Sequence, residues 1–264
     1  MKLETKQVEK PWGRAHLPAI FPNPDGRQLG EIWFDAADAT KLPLLVKYIF
    51  TSERLSIQVH PNDEQARARG YPNGKTECWY ILDAEPGATL GIGLTREVDR
   101  ETLRAAALDG SIEELMDWKP VRAGDFFYVP AGTVHAIGGG ISLIEVQQIS
   151  DVTYRLYDYG RPRELHLDDG IEVSEPRPYP ADLGTHIEGG SRVLVAGPHF
   201  TLVRVEGAAP EAERLTDRDR MVIPLRGRVS GGGDEAGPGE CVFVTAGNAI
   251  QSADGAYLVA ANGA

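Results

Sequence analysis

The chain has 264 residues, of which 42% are hydrophobic, and its formal net charge at pH 7 is −12. The hydrophobic share excludes a disordered chain, and the length suits one double-lobed domain or two small ones. The negative charge argues against nucleic acid or an anionic membrane as a partner, although a small phosphorylated ligand could bind at a local basic cluster.

Cysteine usage and hydropathy indicate the compartment. Only Cys78 and Cys241 occur, far apart in the sequence, so neither a disulfide framework nor a cysteine-rich zinc site is expected. No apolar run approaches the roughly 20 residues that a membrane-spanning helix needs, and the first residues lack the apolar core of a secretory signal. We therefore expect a cytoplasmic protein. Its oligomeric state stays open.

The first part of the chain predicts short strands. The 30 glycines and 18 prolines favour many turns over long helices. Residues 44–50, 55–60 and 78–82 combine apolar, β-branched and aromatic side chains and are predicted to be strands. Residues 63–69 suit a short helix between the second and third of these strands.

The strand at residues 55–60 carries its polar side chains on one face. Alternation with a period of two puts Ser56, Gln58 and His60 on the same side of this strand. Glu77 stands at the start of the next predicted strand. These side chains are therefore candidates to meet inside one lobe.

A helical insertion is predicted at about residues 96–118. Residues 99–108 suit a helix that ends at Gly110, and Ser111 followed by Glu114 matches a capping box at the start of a second helix. Beyond this insertion, strands are predicted at residues 126–129, 141–149 and 153–157.

The last part of the chain predicts a smaller second lobe. The proline-rich segment 175–190 is typical of a linker or an extended crossing, and five strands are predicted after it. Residues 239–250 align with residues 124–135 position for position, but Thr245 replaces Pro130 and Ile250 replaces His135. The predicted fold class is mainly β, and residues 124–135, which resemble the second half of the cupin signature, imply two jelly-roll (cupin) lobes with a short helical insertion. We expect a catalytic lobe at residues 1–180 and a C-terminal lobe without metal ligands at residues 190–264.

One metal site is the main functional prediction. Residues 124–135 follow the pattern G-x5-P-x-G-x2-H, which resembles the second half of the cupin signature. His135 at the end of this pattern could surround one divalent cation together with Gln58, His60 and Glu77. The neutral Gln58 amide is a weak ligand and would leave a position open for substrate, as in a catalytic site. Zn²⁺ suits this set, but Fe²⁺ or Mn²⁺ would fit as well, so an iron-dependent cupin oxygenase stays an alternative.

Longer motifs resemble one family. Four segments are similar to the type I mannose-6-phosphate isomerase family, and most of all to its short bacterial form: QVHP at 58–61, KTECWY at 75–80, PAGTVHA at 130–136 and EVQQISDVTYRLYD at 145–158. The run 150–158 discriminates best, because generic cupins do not carry it. Phe34 stands where the family commonly has an acidic residue, and Cys78 where a larger apolar side chain is common. These departures leave the choice of sugar open.

The resemblance implies a zinc-dependent interconversion of mannose 6-phosphate and fructose 6-phosphate, with one Zn²⁺ per chain and a small-molecule sugar phosphate as partner. Carried over by motif, His60, Glu77 and His135 would be ligands, with Gln58 as the fourth. The same motifs imply further pocket residues: Arg155 as the active-site arginine, Lys75 and Glu145 at pocket positions, and Ser56 near the sugar phosphate.

The chemistry of the implied reaction assigns roles to some of these residues. Aldose–ketose isomerisation moves one proton between C1 and C2 and another between their oxygens, through a cis-enediol(ate). A metal would polarise those oxygens, and Arg155 would stabilise the negative charge. Glu145 is the candidate general base, but Lys75 could be the acid instead or could hold the phosphate. Glu145 could also be merely an ion-pair partner of Arg155, and Arg161 and Arg163 either contact phosphate or form a solvated loop.

Two other functions stay open. The chain could isomerise another hexose or hexose phosphate, with the same metal chemistry in a different pocket. It could also be a non-catalytic cupin that binds a sugar as a sensor. The presence of all four candidate ligands together with Arg155 favours the enzyme.

Overall fold

The chain is mainly β in the computed structural model, which describes residues 1–207, 212, 214–252 and 254–263. Within these residues there are twenty β-strands and four α-helices. The predicted fold class is therefore confirmed.

The elements of the described residues follow in chain order. The strands are β1 (Glu4–Arg14), β2 (Leu29–Asp35), β3 (Leu45–Phe50), β4 (Ile57–Val59), β5 (Glu77–Ala84), β6 (Thr89–Leu94), β7 (Met116–Pro120), β8 (Asp125–Val129), β9 (His135–Ile137), β10 (Ile141–Gln147), β11 (Tyr154–Tyr157), β12 (Gly184–His186), β13 (Arg192–Ala196), β14 (Phe200–Glu206), β15 (Arg220–Arg226), β16 (Val229–Gly231), β17 (Asp234–Ala236), β18 (Val242–Val244), β19 (Ile250–Gln251) and β20 (Ala256–Asn262). The helices are α1 (Asp63–Ala68), α2 (Arg100–Asp109), α3 (Ile112–Leu115) and α4 (Leu167–Val173).

Two antiparallel sheets form the first part of the molecule. The large sheet has the order β1-β2-β3-β10-β5-β8-β12, and the small sheet has the order β11-β4-β9-β6-β7. Their facing sides share a buried apolar cluster, which includes Trp79 and Ile81 from the large sheet and Leu90 and Ile92 from the small one. Helices α2 and α4 pack on the other face of the small sheet. The result is a jelly-roll sandwich with an interior between its two sheets.

The outer face of the large sheet packs against the later strands. These form a five-stranded sheet, β13-β14-β20-β15-β18, and a three-stranded sheet, β17-β16-β19. Tyr48 and Ile144 of the large sheet share one buried cluster with Phe200 and Met221. The Tyr48 hydroxyl also accepts a hydrogen bond from the Gly239 N–H at 3.2 Å. Both faces of the large sheet are therefore buried.

Strand alternation decides which side chains enter the jelly-roll interior. In β10, Ile144 and Val146 belong to the cluster shared with the later strands, whereas Leu143 belongs to the cluster between the two jelly-roll sheets. Glu145 and Gln147 lie on the same side of the strand as Leu143, because side chains two residues apart share a face. Glu145 and Gln147 therefore face the interior between the two jelly-roll sheets.

The predicted helical insertion is partly wrong in its detail. Helices α2 and α3 are present, but the chain becomes a strand at Met116, which pairs with Leu94 of β6. Ser111 does not cap α3: its backbone is already helical, and its side chain makes no capping hydrogen bond. The physical reason is that the backbone N–H of Ser111 already donates a hydrogen bond to the Asp109 carboxylate, at 2.8 Å. This bond lies in the turn that follows α2.

The proline-rich segment 175–190 is an extended crossing, and its interpretation as a free linker is wrong. It contributes β12, in which Gly184 pairs with Phe127 of β8. The Tyr179 hydroxyl donates a hydrogen bond to the Tyr128 carbonyl at 2.7 Å. These contacts hold the segment on the edge of the large sheet.

The two segments of the predicted repeat share their turn geometry. Gly124 and Gly239, which open the two segments, have φ angles of +89° and +86°. Gly132 and Gly247, which occupy the second glycine position, have φ angles of +88° and +81°. Both positions lie in the left-handed region, which glycine enters without a steric penalty.

Thr51 fixes the turn that joins β9 to β10. Its buried hydroxyl donates to the Gly138 carbonyl at 2.7 Å and accepts from the Ile141 N–H at 3.0 Å. Strand β9 begins with His135, and β10 contains Glu145. A single hydroxyl thus anchors the connection between two strands that carry candidate site residues.

We predict that Thr51→Val destabilises the protein, because valine keeps the shape of threonine but leaves the Ile141 N–H and the Gly138 carbonyl without this partner. Loss of a buried hydrogen bond costs about 1–3 kcal/mol in the free energy of unfolding. Urea unfolding followed by tryptophan fluorescence measures the change. All four tryptophans precede residue 119, so they report on the same part of the chain as Thr51. The control is Thr51→Ser, which keeps the hydroxyl and loses only a methyl group. Equal stability of the valine variant and the unmodified protein would contradict this role of Thr51.

Candidate metal centre

Two rows of paired residues face each other across the jelly-roll interior. In the large sheet, Lys47 of β3 is the register partner of Glu145 on β10 and of Trp33 on β2. In the small sheet, Gln58 pairs with His135 on one side and with Arg155 on the other. Strands that are distant in sequence therefore bring charged and ligating side chains together.

The centre of the site is a cluster of two histidines and one glutamate. His60 Nε2 lies 3.5 Å from one carboxylate oxygen of Glu77, and His135 Nε2 lies 3.5 Å from the other. The ligating atoms of the three residues all lie within 4.8 Å of one another. None of the three residues is more than 2% exposed. Three of the four predicted ligands thus converge on one point.

Backbone carbonyls set the tautomer of both imidazoles. Nδ1 of His60 lies 2.9 Å from the Val152 carbonyl, and Nδ1 of His135 lies 2.9 Å from the Thr133 carbonyl. A carbonyl can only accept, so each Nδ1 carries the proton and each Nε2 presents a lone pair toward Glu77. In the described part of the chain, His60 Nε2 has no hydrogen-bond partner. This is the arrangement of metal-ligating histidines.

Burial keeps both imidazoles neutral. It lowers the pKa of His60 well below its usual value and lowers the pKa of His135 to about 4. Neutral imidazole is the form that binds metal. Burial also raises the pKa of Glu77 to about 7, although the Lys75 ammonium at 3.1 Å acts in the opposite direction. A divalent cation would favour the ionised carboxylate, so the donor set fits a metal such as Zn²⁺.

Gln58 lies beside this cluster. Its amide nitrogen is 3.3 Å from His135 Nε2, and its amide oxygen accepts a hydrogen bond from the Ser56 hydroxyl at 3.1 Å. The amide oxygen is the atom that would bind a metal. Gln58 is thus close enough to take part, and its role as the fourth ligand stays a prediction.

Glu145 is held as a carboxylate. One of its oxygens lies 2.9 Å from the Lys47 ammonium, and the other accepts a hydrogen bond from the Trp79 indole N–H at 3.1 Å. Burial alone would raise the pKa of Glu145, but Lys47 and Lys75 outweigh it and lower the pKa. Its ion-pair partners in the described residues are these lysines and not Arg155, so the simple pairing of Glu145 with Arg155 is wrong.

Arg155 belongs to the wall of the same site. Its Nη1 donates to the Glu164 carbonyl at 2.7 Å, while its Nε has no hydrogen-bond partner among the described residues. Arg163 binds the buried Asp158 carboxylate through two hydrogen bonds of 2.6 Å. Arg161 also contacts Asp158, at 2.8 Å. The solvated-loop interpretation of these two arginines is therefore wrong.

The cluster opens onto a cleft of about 300 Å³. Ser56, Gln58, Lys75, Glu145 and Arg155 all line it, together with Glu77 of the histidine–glutamate cluster. Five cationic and four anionic side chains line the cleft in a chain whose net charge is −12. The cations are Lys10, Lys47, Lys75, Arg155 and Arg163, and the anions are Glu31, Glu77, Glu145 and Asp151.

Four of the residues that line this cleft were not predicted to be site residues: Lys10, Glu31, Trp33 and Lys47. One signal for Lys47 was available, since it is the single charged residue in the apolar run 44–50. A lysine inside a buried strand needs an anionic partner. Which partner it has depends on strand pairing, which the run itself does not reveal.

A buried histidine–carboxylate cluster between the sheets of a jelly roll defines the chain as a candidate metal-binding protein of the cupin type. No protein-family model matches the chain. In sequence it is 44% identical to the mannose-6-phosphate isomerase ManA of Bacillus subtilis (strain 168) over 176 residues, which cover 62% of this chain and 56% of that protein. The chain thus spans little more than half the length of this curated relative.

Solved structures show the same fold. The mannose 6-phosphate isomerase from Bacillus subtilis superposes with a TM-score of 0.80 at 24% identity, covering 98% of each chain. A zinc-bound mannose 6-phosphate isomerase superposes with a TM-score of 0.74 at 16% identity, covering 100% of this chain and 99% of that one. The resemblance that the motifs indicate is therefore confirmed: the chain is similar in sequence to curated mannose-6-phosphate isomerases, and it shares its fold with solved structures of that name. No helix in the described residues is both long and apolar enough to cross a membrane.

We predict that His135→Ala abolishes stoichiometric binding of zinc, because it removes one of three converging donors. Loss of a residue that merely orients a ligand costs about 10–100-fold in metal affinity, so loss of a ligand should cost more. Elemental analysis after zinc loading and dialysis measures the metal per chain. The control is His16→Ala, which changes an exposed histidine outside the cluster. Full zinc retention in the His135 variant would mean that the ligand set is misassigned.

Proposed function

We propose that the chain is a metal-dependent aldose–ketose isomerase that interconverts mannose 6-phosphate and fructose 6-phosphate. The observation that carries this proposal is the convergence of His60, Glu77 and His135 beside a cleft lined by five cationic and four anionic side chains, in a chain whose net charge is −12. Such a cleft suits a small anionic substrate next to a metal. The names of the sequence relatives support the same reaction.

We propose zinc as the cofactor, with one ion per chain. Two neutral imidazole nitrogens and one carboxylate are donors that Zn²⁺ accepts, and one structural neighbour is described as zinc bound. His60, Glu77 and His135 would hold the ion, with Gln58 as the fourth ligand. When bound, zinc would act as a Lewis acid toward the substrate oxygens.

Arg155 is the proposed stabiliser of the enediol(ate). Its guanidinium is always protonated, so it offers a fixed positive charge without acting as a proton donor. The hydrogen bond from its Nη1 to the Glu164 carbonyl keeps the side chain in place, and Arg155 is one of the residues that line the cleft. A preformed donor aimed at developing negative charge is an effective form of catalysis.

Glu145 and Lys75 are the proposed proton-transfer groups. Glu145 is kept ionised by neighbouring lysines, so it can accept the proton that moves between C1 and C2. The Lys75 ammonium lies 3.1 Å from Glu77 and 3.9 Å from Glu145. From that position it can donate a proton to one substrate oxygen and take back the proton that the other oxygen releases.

The substrate phosphate is the remaining part of the proposal. Ser56, Lys75 and Arg155 line the cleft and are its proposed substrate-binding residues. Arg163 adds positive charge to the same wall. The cytoplasm is the proposed compartment, since both cysteines are free and buried, as suits a reducing environment.

We also propose the division into two lobes. All the proposed site residues lie within residues 1–180, which form the catalytic lobe. Residues 190–264 form the smaller lobe, which has no assigned ligand and packs on the outer face of the large sheet. In this proposal the smaller lobe supports the site from behind and takes no part in the chemistry.

Metal removal tests the function directly. We expect the zinc-loaded protein to form fructose 6-phosphate from mannose 6-phosphate, and we expect dialysis against a chelator to abolish turnover until zinc is added back. Undiminished turnover in metal-free protein would refute the metal chemistry. If the zinc-loaded protein is inactive on mannose 6-phosphate, other hexose phosphates assayed in parallel will reveal a different isomerase, and inactivity on all of them would favour a sugar-binding protein.

We predict that Arg155→Ala lowers kcat by about 10²–10³-fold, the usual cost of removing one donor that stabilises an oxyanion. The zinc content should stay at one ion per chain, because Arg155 is outside the histidine–glutamate cluster. Steady-state kinetics and elemental analysis on the same preparation measure both quantities. Arg67→Ala serves as the control, since its side chain is 60% exposed. An unchanged kcat would make Arg155 a structural residue.

A further inference from the structure

Glu31 is a buried carboxylate in the cleft that the proposed mechanism does not use. It lies on β2 and is only 6% exposed. One of its oxygens accepts a hydrogen bond from the Trp33 indole N–H at 2.9 Å and lies 3.3 Å from the Lys10 ammonium. The other lies 3.7 Å from the Lys47 ammonium. Both oxygens are therefore engaged by the protein.

Lys47 lies between Glu31 and the proposed base. Its ammonium is 2.9 Å from Glu145 and 3.7 Å from Glu31, and its side chain is only 6% exposed. A lysine side chain has four rotatable methylene groups and a point charge, so one partner alone restrains it poorly. Two carboxylates on opposite sides restrain it in one position.

Strand pairing places these residues in one line. Trp33 is the register partner of Lys47 between β2 and β3, and Lys47 is the register partner of Glu145 between β3 and β10. Glu31 lies two residues before Trp33, and thus on the same face of β2. The indole of Trp33 also faces the Lys47 ammonium, with 5.5 Å between the ammonium and the ring centroid.

We propose that Glu31 is a positioning residue for the isomerisation: it holds the Lys47 ammonium against Glu145 and thereby sets where the Glu145 carboxylate lies. This inference rests on the proposed function, in which Glu145 accepts the substrate proton. Without Glu31, the Lys47 ammonium could swing toward the Glu77 side of the cleft. The Glu145 carboxylate would then keep its charge but lose its fixed position.

Glu31→Gln tests the proposal with little change in shape. We expect kcat to fall by about tenfold or more, since small misplacements of a reacting group are costly, while KM changes less than about twofold and the zinc content is unchanged. A rise in KM at constant kcat would mean that Glu31 binds substrate directly and would overturn the proposal. The control is Glu9→Gln, which changes an exposed glutamate on the neighbouring strand and should leave both constants unchanged.

A second comparison separates positioning from a general structural effect. If Glu31 acts through Lys47 on Glu145, then Glu31→Gln should cause no further loss of turnover in a Glu145→Gln background. The same should hold in a Lys47→Met background. Losses that multiply in the Glu145→Gln background, where the buried lysine is retained, would show that Glu31 acts independently and would overturn the proposal.

Stability measurements give a readout that needs no substrate. Urea unfolding of the Glu31→Gln, Lys47→Met and double variants should show non-additive shifts, because the two residues are in contact. Additive shifts would contradict the contact on which the proposal depends. Inactivity of the unmodified zinc-loaded protein would refute the proposed function, whereas normal turnover of both the unmodified protein and Glu31→Gln would refute only the positioning role.

Discussion

The site depends on the pairing of buried charges. Glu31, Lys47, Glu145, Lys75 and Glu77 form a sequence of alternating charges with separations of 3.7, 2.9, 3.9 and 3.1 Å, and none of these side chains is more than 8% exposed. A buried charge without a partner costs several kcal/mol. The interior tolerates these five groups because each one touches a group of opposite sign. Removing any single member therefore changes the environment of its neighbours as well.

The β-architecture makes this charged interior possible. Alternation gives the large sheet an inner face, on which the charged groups lie beside apolar residues such as Trp79, and an apolar outer face, on which Tyr48 packs in one cluster with Phe200. The apolar face would otherwise be exposed to water, at a cost of roughly 25 cal/mol per Å². The later strands thus bury the apolar outer face of the large sheet. This burial is a physical reason for strands to which no metal ligand is assigned.

The sequence predicted the parts of the site that depend on local pattern. Period-two alternation and one glycine–proline–histidine spacing indicated that His60, Glu77 and His135 could converge, and their ligating atoms do lie within 4.8 Å. Glu31 and Lys47 were missed for a physical reason. Their roles depend on the register of strands β2, β3 and β10, and register between distant strands is set by the whole fold. The capping box at Ser111 failed because its N–H was already bound by Asp109.

The repeat shows that the turn geometry and the metal site depend on different residues. Gly132 and Gly247 share a left-handed conformation, but only the first segment ends in a histidine. Arg220 of β15 contacts the second segment: its buried guanidinium donates hydrogen bonds to the carbonyls of Thr245 and Asn248, at 3.2 and 2.6 Å. A fixed cation from the chain itself thus holds that turn. The same turn therefore forms with or without metal ligands. The glycine spacing predicts the geometry of the turn, and only the donor atoms indicate a metal.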